Sequence, residues 1–256
     1  MVQLAHLALS LAILLAWPLH VQAVKLEPGI SLELAQWRAA TISALEYHLL
    51  LRIPEQPDAA ISGELRIEFQ LADPSRGLQL DFRAPPDNIH RVTANDKPAQ
   101  HRVEQEHIVL PPAALRAGTN HVAIDFSAGD SSLNRNPDYL HTLFVPDRAR
   151  TAFPLFDQPD LKARYHLQLE LPAHWQGLAN APLLERRERG ERILLRFAPT
   201  EPLSSYLFSF VAGEFQVVQR DIDGRRMTML HRETDAEKVA RNLDAIFQLH
   251  ADALAW

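Results

Sequence analysis

The chain of 256 residues has no cysteine and a formal charge of −6, from 26 basic and 32 acidic side chains. The missing cysteine excludes a disulfide framework, a thiolate metal site and a cysteine nucleophile. The acidic balance argues against a nucleic-acid partner. With 46% hydrophobic and 23% charged residues, the composition is that of one or two globular domains.

Leu4 to Leu19 is an apolar run broken by His6, Ser10 and Pro18, and Val21-Gln22-Ala23 follows with small residues. The run is shorter than the ~20 residues a spanning helix needs. Residues 1–23 therefore read as a secretory signal peptide, although no Lys or Arg precedes the run. A membrane partner enters only if this segment stays uncleaved as an anchor. Export of a chain without cysteine points to a secreted or, more specifically, bacterial periplasmic protein.

Residues 24–43 form an N-terminal helical segment, with Leu34, Trp37 and Arg38 at helical spacing in Glu33 to Ile42. From Ala44 the period shortens. Ile61, Leu65, Ile67, Phe69 and Leu71 alternate with charged or polar residues, which marks a half-buried strand. The alternation recurs at Leu78-Leu80-Phe82, at Val122-Ile124-Phe126 and from Tyr165 to Leu171. Tyr206 to Val211 is continuously apolar, as a strand covered on both faces would be. Turn signals separate these runs at Asp73-Pro74, Asn95-Asp96, Gly118-Thr119 and Arg189-Gly190. This spacing predicts an antiparallel β-sandwich.

Val217 to Met229 then reads as a hairpin turning at Asp223-Gly224. Thr234-Asp-Ala-Glu237 has the form of a capping box, with Thr234 as the N-cap. The helix that follows carries Val239, Leu243, Ile246, Phe247 and Leu254 on one stripe and runs into Trp256. Two readings stand at this point: the helix docks back on the sandwich, or the chain is cut short and the stripe of Val239, Leu243 and Phe247 is left exposed.

Candidate chemistry is sparse. His101, His107, His121 and His141 fall in or beside strands, without His-Glu-x-x-His or His-x-His spacing, and read as scattered surface histidines. Asp157 and Asp160 flank Gln158-Pro159; they read as turn caps before an acid/base pair. Ser204-Ser205 lies in no nucleophile elbow. Glu185 to Arg192 alternates in sign and reads as a solvated hairpin tip. No catalytic, cofactor-binding or metal residue is assigned.

Two stretches add a resemblance. Ala149-Arg-Thr-Ala-Phe-Pro-Leu-Phe-Asp-Gln-Pro-Asp-Leu-Lys-Ala163 resembles the signature loop of the N-terminal domain in zinc aminopeptidases of the aminopeptidase N and leukotriene-hydrolase type. Glu201 to Phe215 is similar to the segment that closes that domain, and Leu171-Pro-Ala-His-Trp175 with Ala179-Asn180 resembles the connection between them. The likeness spans about residues 33–256. It implies a mainly β fold: a saddle-shaped antiparallel β-sandwich over 44–215, preceded by a short helix. It also implies that residues 216–256, the hairpin and helix, are the truncated start of a thermolysin-like domain that packs on the sandwich. The family's His-Glu-x-x-His and Gly-x-Met-Glu-Asn segments lie later in its members and are absent from this chain. The resemblance therefore favours the cut-short reading. It implies a fragment of a zinc enzyme acting on peptide substrates, with no cofactor held by this chain and no catalysis by it alone. The alternative is a stand-alone β-sandwich interaction module derived from such an enzyme.

Family members commonly carry a Gln and a Glu just before the signature loop, and the Glu helps hold the substrate's α-amino group. Here Thr142-Leu-Phe-Val-Pro146 puts Leu143 and Val145 at those positions. Neither can hold an ammonium. Leu155 stands where the family usually has cysteine.

Overall fold

The computed structural model describes residues 26–256; the signal-peptide reading of 1–23 lies outside them. The first element is a helix, α1 (Leu32–Thr41), whose N-cap Ser31 accepts a hydrogen bond from the Leu34 amide. It ends where Ile42 turns extended. Ten strands follow: β1 (Ile42–Arg52), β2 (Ser62–Leu71), β3 (Leu78–Asp81), β4 (Ile89–Ala94), β5 (Lys97–Pro98), β6 (Arg102–Glu104), β7 (His107–Leu110), β8 (Gly118–Ser127), β9 (Leu133–Arg135) and β10 (Tyr139–Thr142). After the signature loop come β11 (Arg164–Pro172), β12 (Gln176–Ala179), β13 (Leu183–Arg189), β14 (Arg192–Phe197), β15 (Phe210–Gly213), β16 (Gln216–Ile222), β17 (Arg225–His231) and the helix α2 (Ala236–Ala255).

An eight-stranded sheet runs β13-β14-β11-β1-β2-β8-β4-β5. A four-stranded sheet (β12-β15-β10-β9) and a three-stranded one (β3-β7-β6) share one apolar core with it. Alternation explains the large sheet. Tyr47, Leu49 and Leu51 of β1 face the core with Leu65, Ile67 and Phe69 of β2 and Leu167 and Leu169 of β11. Glu46, His48, Arg66, Glu68 and His166 occupy the outer-face positions between them.

The mainly β sandwich agrees with the expectation, with one correction to the word antiparallel. The central strand β1 pairs with β11 in parallel, His48 opposite His166. A bulge lies in β1, where Ala44 and Leu45 oppose the single Phe69 of β2 and Ala44 takes φ 50. The bulge lets Ile42 and Leu45, three residues apart, both face inward.

Other local expectations change. Leu78 to Phe82 is buried on both faces, since α1 and the signature loop cover its second side. Tyr206 to Val211 is not one buried strand: Ser205–Leu207 is a 3-10 turn and Leu207 is exposed, with β15 starting only at Phe210. The hydroxyls of Ser204 and Ser205 hold this turn against the signature loop.

The hairpin β16-β17 turns at Asp223-Gly224 as expected, with φ of 51 and 75 at the two residues. The N-cap of α2 is Asp235, not Thr234; its carboxylate accepts from the amides of Glu237 and Lys238. An ionised carboxylate is the stronger partner for two amides at the positive end of a helix. The expected apolar stripe is only partly exposed, at Ile246 and Leu254. Phe247 and Ala251 are buried and Val239 and Leu243 are half-buried, with α2 lying against β16, while Leu249 and Leu254 face outward. Among the described residues no helix is long and apolar enough to cross a membrane.

Candidate functional site

The signature loop is sewn into the interior at almost every residue. The Phe156 amide donates to the Tyr47 hydroxyl at 2.8 Å, and the Asp157 amide donates to Asp81 Oδ2 at 2.8 Å. Asp157 accepts from the Ser205 hydroxyl at 2.6 Å and from the Arg150 amide at 3.0 Å. Gln158 reaches the Ala35 carbonyl of α1 at 2.9 Å. Asp157 is buried and Asp160 exposed, so the two do not form an acid/base pair. Asp157 caps backbone, as the turn reading required. Burial pushes its carboxyl up, and the Ser205 and Arg150 hydrogen bonds only partly offset this.

Beneath the loop lies a buried ion pair. Arg38 of α1 grips Asp81 of β3 with Nη1 to Oδ2 at 2.8 Å and Nη2 to Oδ1 at 2.6 Å, and Nη2 also reaches the Gln79 carbonyl at 2.7 Å. His107 Nδ1 lies 2.9 Å from Asp81 Oδ1, and its Nε2 lies 3.1 Å from the Glu27 carbonyl. His107 is thus a core residue, which corrects its reading as a surface histidine. Burial acts to raise the Asp81 carboxyl, but the Arg38 charge and the hydrogen bonds from His107 and Arg38 outweigh it and hold Asp81 low.

The remaining singled-out groups stand apart from one another. His101 Nδ1 lies 3.2 Å from the Ala99 carbonyl, His121 Nε2 lies 2.8 Å from Asp96 Oδ1, and His141 sits exposed on β10. Glu185 to Arg192 forms the β13-β14 hairpin tip, as expected, with Gly190 at φ 65. Beside β10, Leu143 and Val145 are 47% and 52% exposed while Phe144 between them is buried against Phe153 and Phe208. The two positions offer an apolar surface with no side-chain acceptor.

One group was not singled out by spacing. On the outer face of the eight-stranded sheet, ligand atoms of Glu46, His48 and His166 lie within 4.8 Å of one another. Glu46 Oε2 is 2.9 Å from His166 Nε2 and 3.9 Å from His48 Nε2. The imidazole rings stack at 4.1 Å between centroids. Burial, with His166 as the next cause, pushes the His48 imidazole below its ordinary range. Glu46-x-His48 on a strand puts both on one face; His166 joins them only through the parallel register.

Comparison with known proteins decides the family. A sequence profile described as the peptidase M1 N-terminal domain matches residues 43–207. The chain belongs to this family. Its relatives are M1 aminopeptidases. Aminopeptidase N of Streptomyces lividans is 28% identical over 248 residues, covering 90% of this chain and 28% of that protein. Probable M1 family aminopeptidase 1 of Encephalitozoon cuniculi is 32% identical over 149 residues, 54% of this chain and 17% of its own length. Glutamyl aminopeptidase of Rattus norvegicus is 31% identical over 116 residues, 43% of this chain and 12% of its own. The chain therefore spans less than a third of each of these three relatives. The M1 match takes in the signature loop and the whole Arg38–Asp81–Asp157 scaffold except Arg38 itself, which lies just before it.

Proposed function

We propose that this chain is the N-terminal portion of an exported, periplasmic zinc-dependent aminopeptidase and is not catalytic by itself. The match of the M1 N-terminal domain profile to residues 43–207 carries this reading. Residues 44–215 would be the sandwich domain and 216–256 the opening elements of a catalytic domain packed against it. In metallopeptidases zinc polarises the scissile carbonyl and activates water. No His-Glu-x-x-His is present here to hold that ion, so these residues take no step in the hydrolysis. Their contribution is steric: a rigid sandwich edge, pinned by the signature loop, forms one wall of the cleft and restricts entry to peptide ends. Leu143 and Val145 put an apolar surface where the family has its amine anchor, so either the α-amino group is held by residues elsewhere in the enzyme or this branch takes another substrate end.

The purified chain is expected to hydrolyse no aminoacyl p-nitroanilide with or without added zinc, and steady turnover would overturn the claim of inactivity. The reading frame beyond codon 256 is expected to encode His-Glu-x-x-His. A stop codon there would overturn the enzyme reading in favour of a separate interaction module.

A further inference from the structure

We propose that Glu46, His48 and His166 form a binding site for a divalent transition metal of the zinc class, clipping β1 to β11 across the outer face of the large sheet. Two imidazole nitrogens and one carboxylate oxygen are the donor set such ions prefer over magnesium or calcium.

The fold assembles this set from its own regularities. Glu46 and His48 are two residues apart on β1 and share its outer face. Parallel pairing sets His166 directly beside His48. Antiparallel pairing sets Glu68 of β2 directly beside Glu46. Two carboxylates facing each other across a strand pair repel. Arg66 offsets Glu68, with Nε to Oε1 at 2.7 Å, and leaves Glu46 to the histidines. The β1 bulge lies immediately before Glu46, where bulges re-aim side chains.

Distances place the donors near a coordination sphere. Bonds of about 2.0–2.1 Å at tetrahedral angles set ligand atoms ~3.3 Å apart. The Glu46 oxygen lies at 2.9 Å and 3.9 Å from the two nitrogens, on either side of that value. His48 Nε2 is shielded from solvent and makes no hydrogen bond, although Glu68 Oε1 stands 3.7 Å away. A shielded polar atom in that state calls for an explanation, and a bound ion is one that the two neighbouring donors would share. The rings now stack with 16° between their planes, so binding must tilt the two Nε2 edges together. Both side chains are more than a quarter exposed and free to make that turn. A fourth position stays open for water or Glu68.

The test titrates the full chain with zinc chloride by calorimetry and with cobalt chloride by visible absorption. Wild type is expected to bind one zinc ion and to show the intense absorption of four-coordinate cobalt. His48→Gln, His166→Gln and Glu46→Gln are each expected to weaken zinc by at least about tenfold, on the scale seen when a metal's surroundings are altered. His101→Gln, at an exposed site remote in the fold, is expected to leave affinity unchanged. Circular dichroism checks that each variant is folded. Absence of zinc binding by wild type, or an affinity unchanged in folded His48→Gln/His166→Gln, overturns the proposal.

Discussion

Replacing Arg38 by methionine tests the scaffold under the signature loop. Methionine keeps much of the apolar stem, so the change removes mainly the charge and its hydrogen bonds. Arg38 and Asp81 are both fully buried, and the guanidinium makes two bonds to the carboxylate and one to the Gln79 carbonyl. Breaking one side of such a pair costs about 3–5 kcal/mol, because the surviving charge stays buried. That is a large share of the ~5–15 kcal/mol that holds a typical domain together.

Asp81 keeps the Asp157 amide at 2.8 Å and His107 at 2.9 Å, which argues for the lower half of the range. Urea unfolding followed by circular dichroism measures the loss. Acidity adds a signed test. Asp81 is held low in the wild type, so its contribution is present at neutral pH and lost as pH falls through the folded value. Without Arg38, burial prevails and raises the carboxyl, which is then neutral in the fold at low pH. The gap between variant and wild type is therefore expected to narrow as pH falls, first through the variant's raised value and then, as the wild type loses its own contribution, below the ordinary aspartate value of about 3.9. A loss under about 1 kcal/mol, or a gap equal at about pH 3 and pH 7, would refute the reasoning. Arg38→Met/Asp81→Leu is expected to cost less than the two single changes added, because no charge remains unpaired.

Phe208 is buried, stacked on Tyr165 at 4.3 Å and edge-on to Phe153 at 5.9 Å. Phe208→Ala is expected to cost about 3–5 kcal/mol in the same urea titration. A Cβ on Gly63 would run into the Phe126 ring. Gly63→Ala is therefore expected to cost about 1–3 kcal/mol, with Phe126→Leu recovering part of it; additive losses would count against that contact. Asp235→Ala is expected to remove about 1 kcal/mol from α2, read as faster amide exchange in its first turn, while Thr234→Ala leaves exchange unchanged. The reverse pattern would restore Thr234 as the cap.

Much of this fold is legible in the chain because one face of the large sheet meets the core and the other meets solvent. Ile67 and Phe69 alternate with Arg66 and Glu68, and that alternation marks β2 without any partner in view. The hairpin turn at Asp223-Gly224 is equally local. What resists reading depends on distant partners. Nothing near His48 announces that His166 will lie beside it, because parallel register is set by the intervening chain. His107 looks like any strand histidine until Asp81 and the Glu27 carbonyl enclose it. Ser205 to Leu207 has a strand's composition, but the Ser205 hydroxyl is drawn to Asp157 of the signature loop and the segment turns. The signature loop is recognisable as a motif, yet its work of joining α1, β1 and β3 appears only when the acceptors of its amides are known.

The parallel seam also governs the order in which the chain becomes safe in solution. β1 lies between β2, which follows it closely, and β11, which is made much later. At about 5–20 residues per second, synthesis leaves that second edge uncovered for on the order of ten seconds. Throughout that interval β1 is an edge strand with a row of free amides and carbonyls beside an unfinished apolar face, the geometry that recruits other chains. A nascent chain arrested before Arg164 would therefore be held out of aggregates by a chaperone or not at all. Arrest beyond Pro172, with the seam closed, would release a far more soluble product.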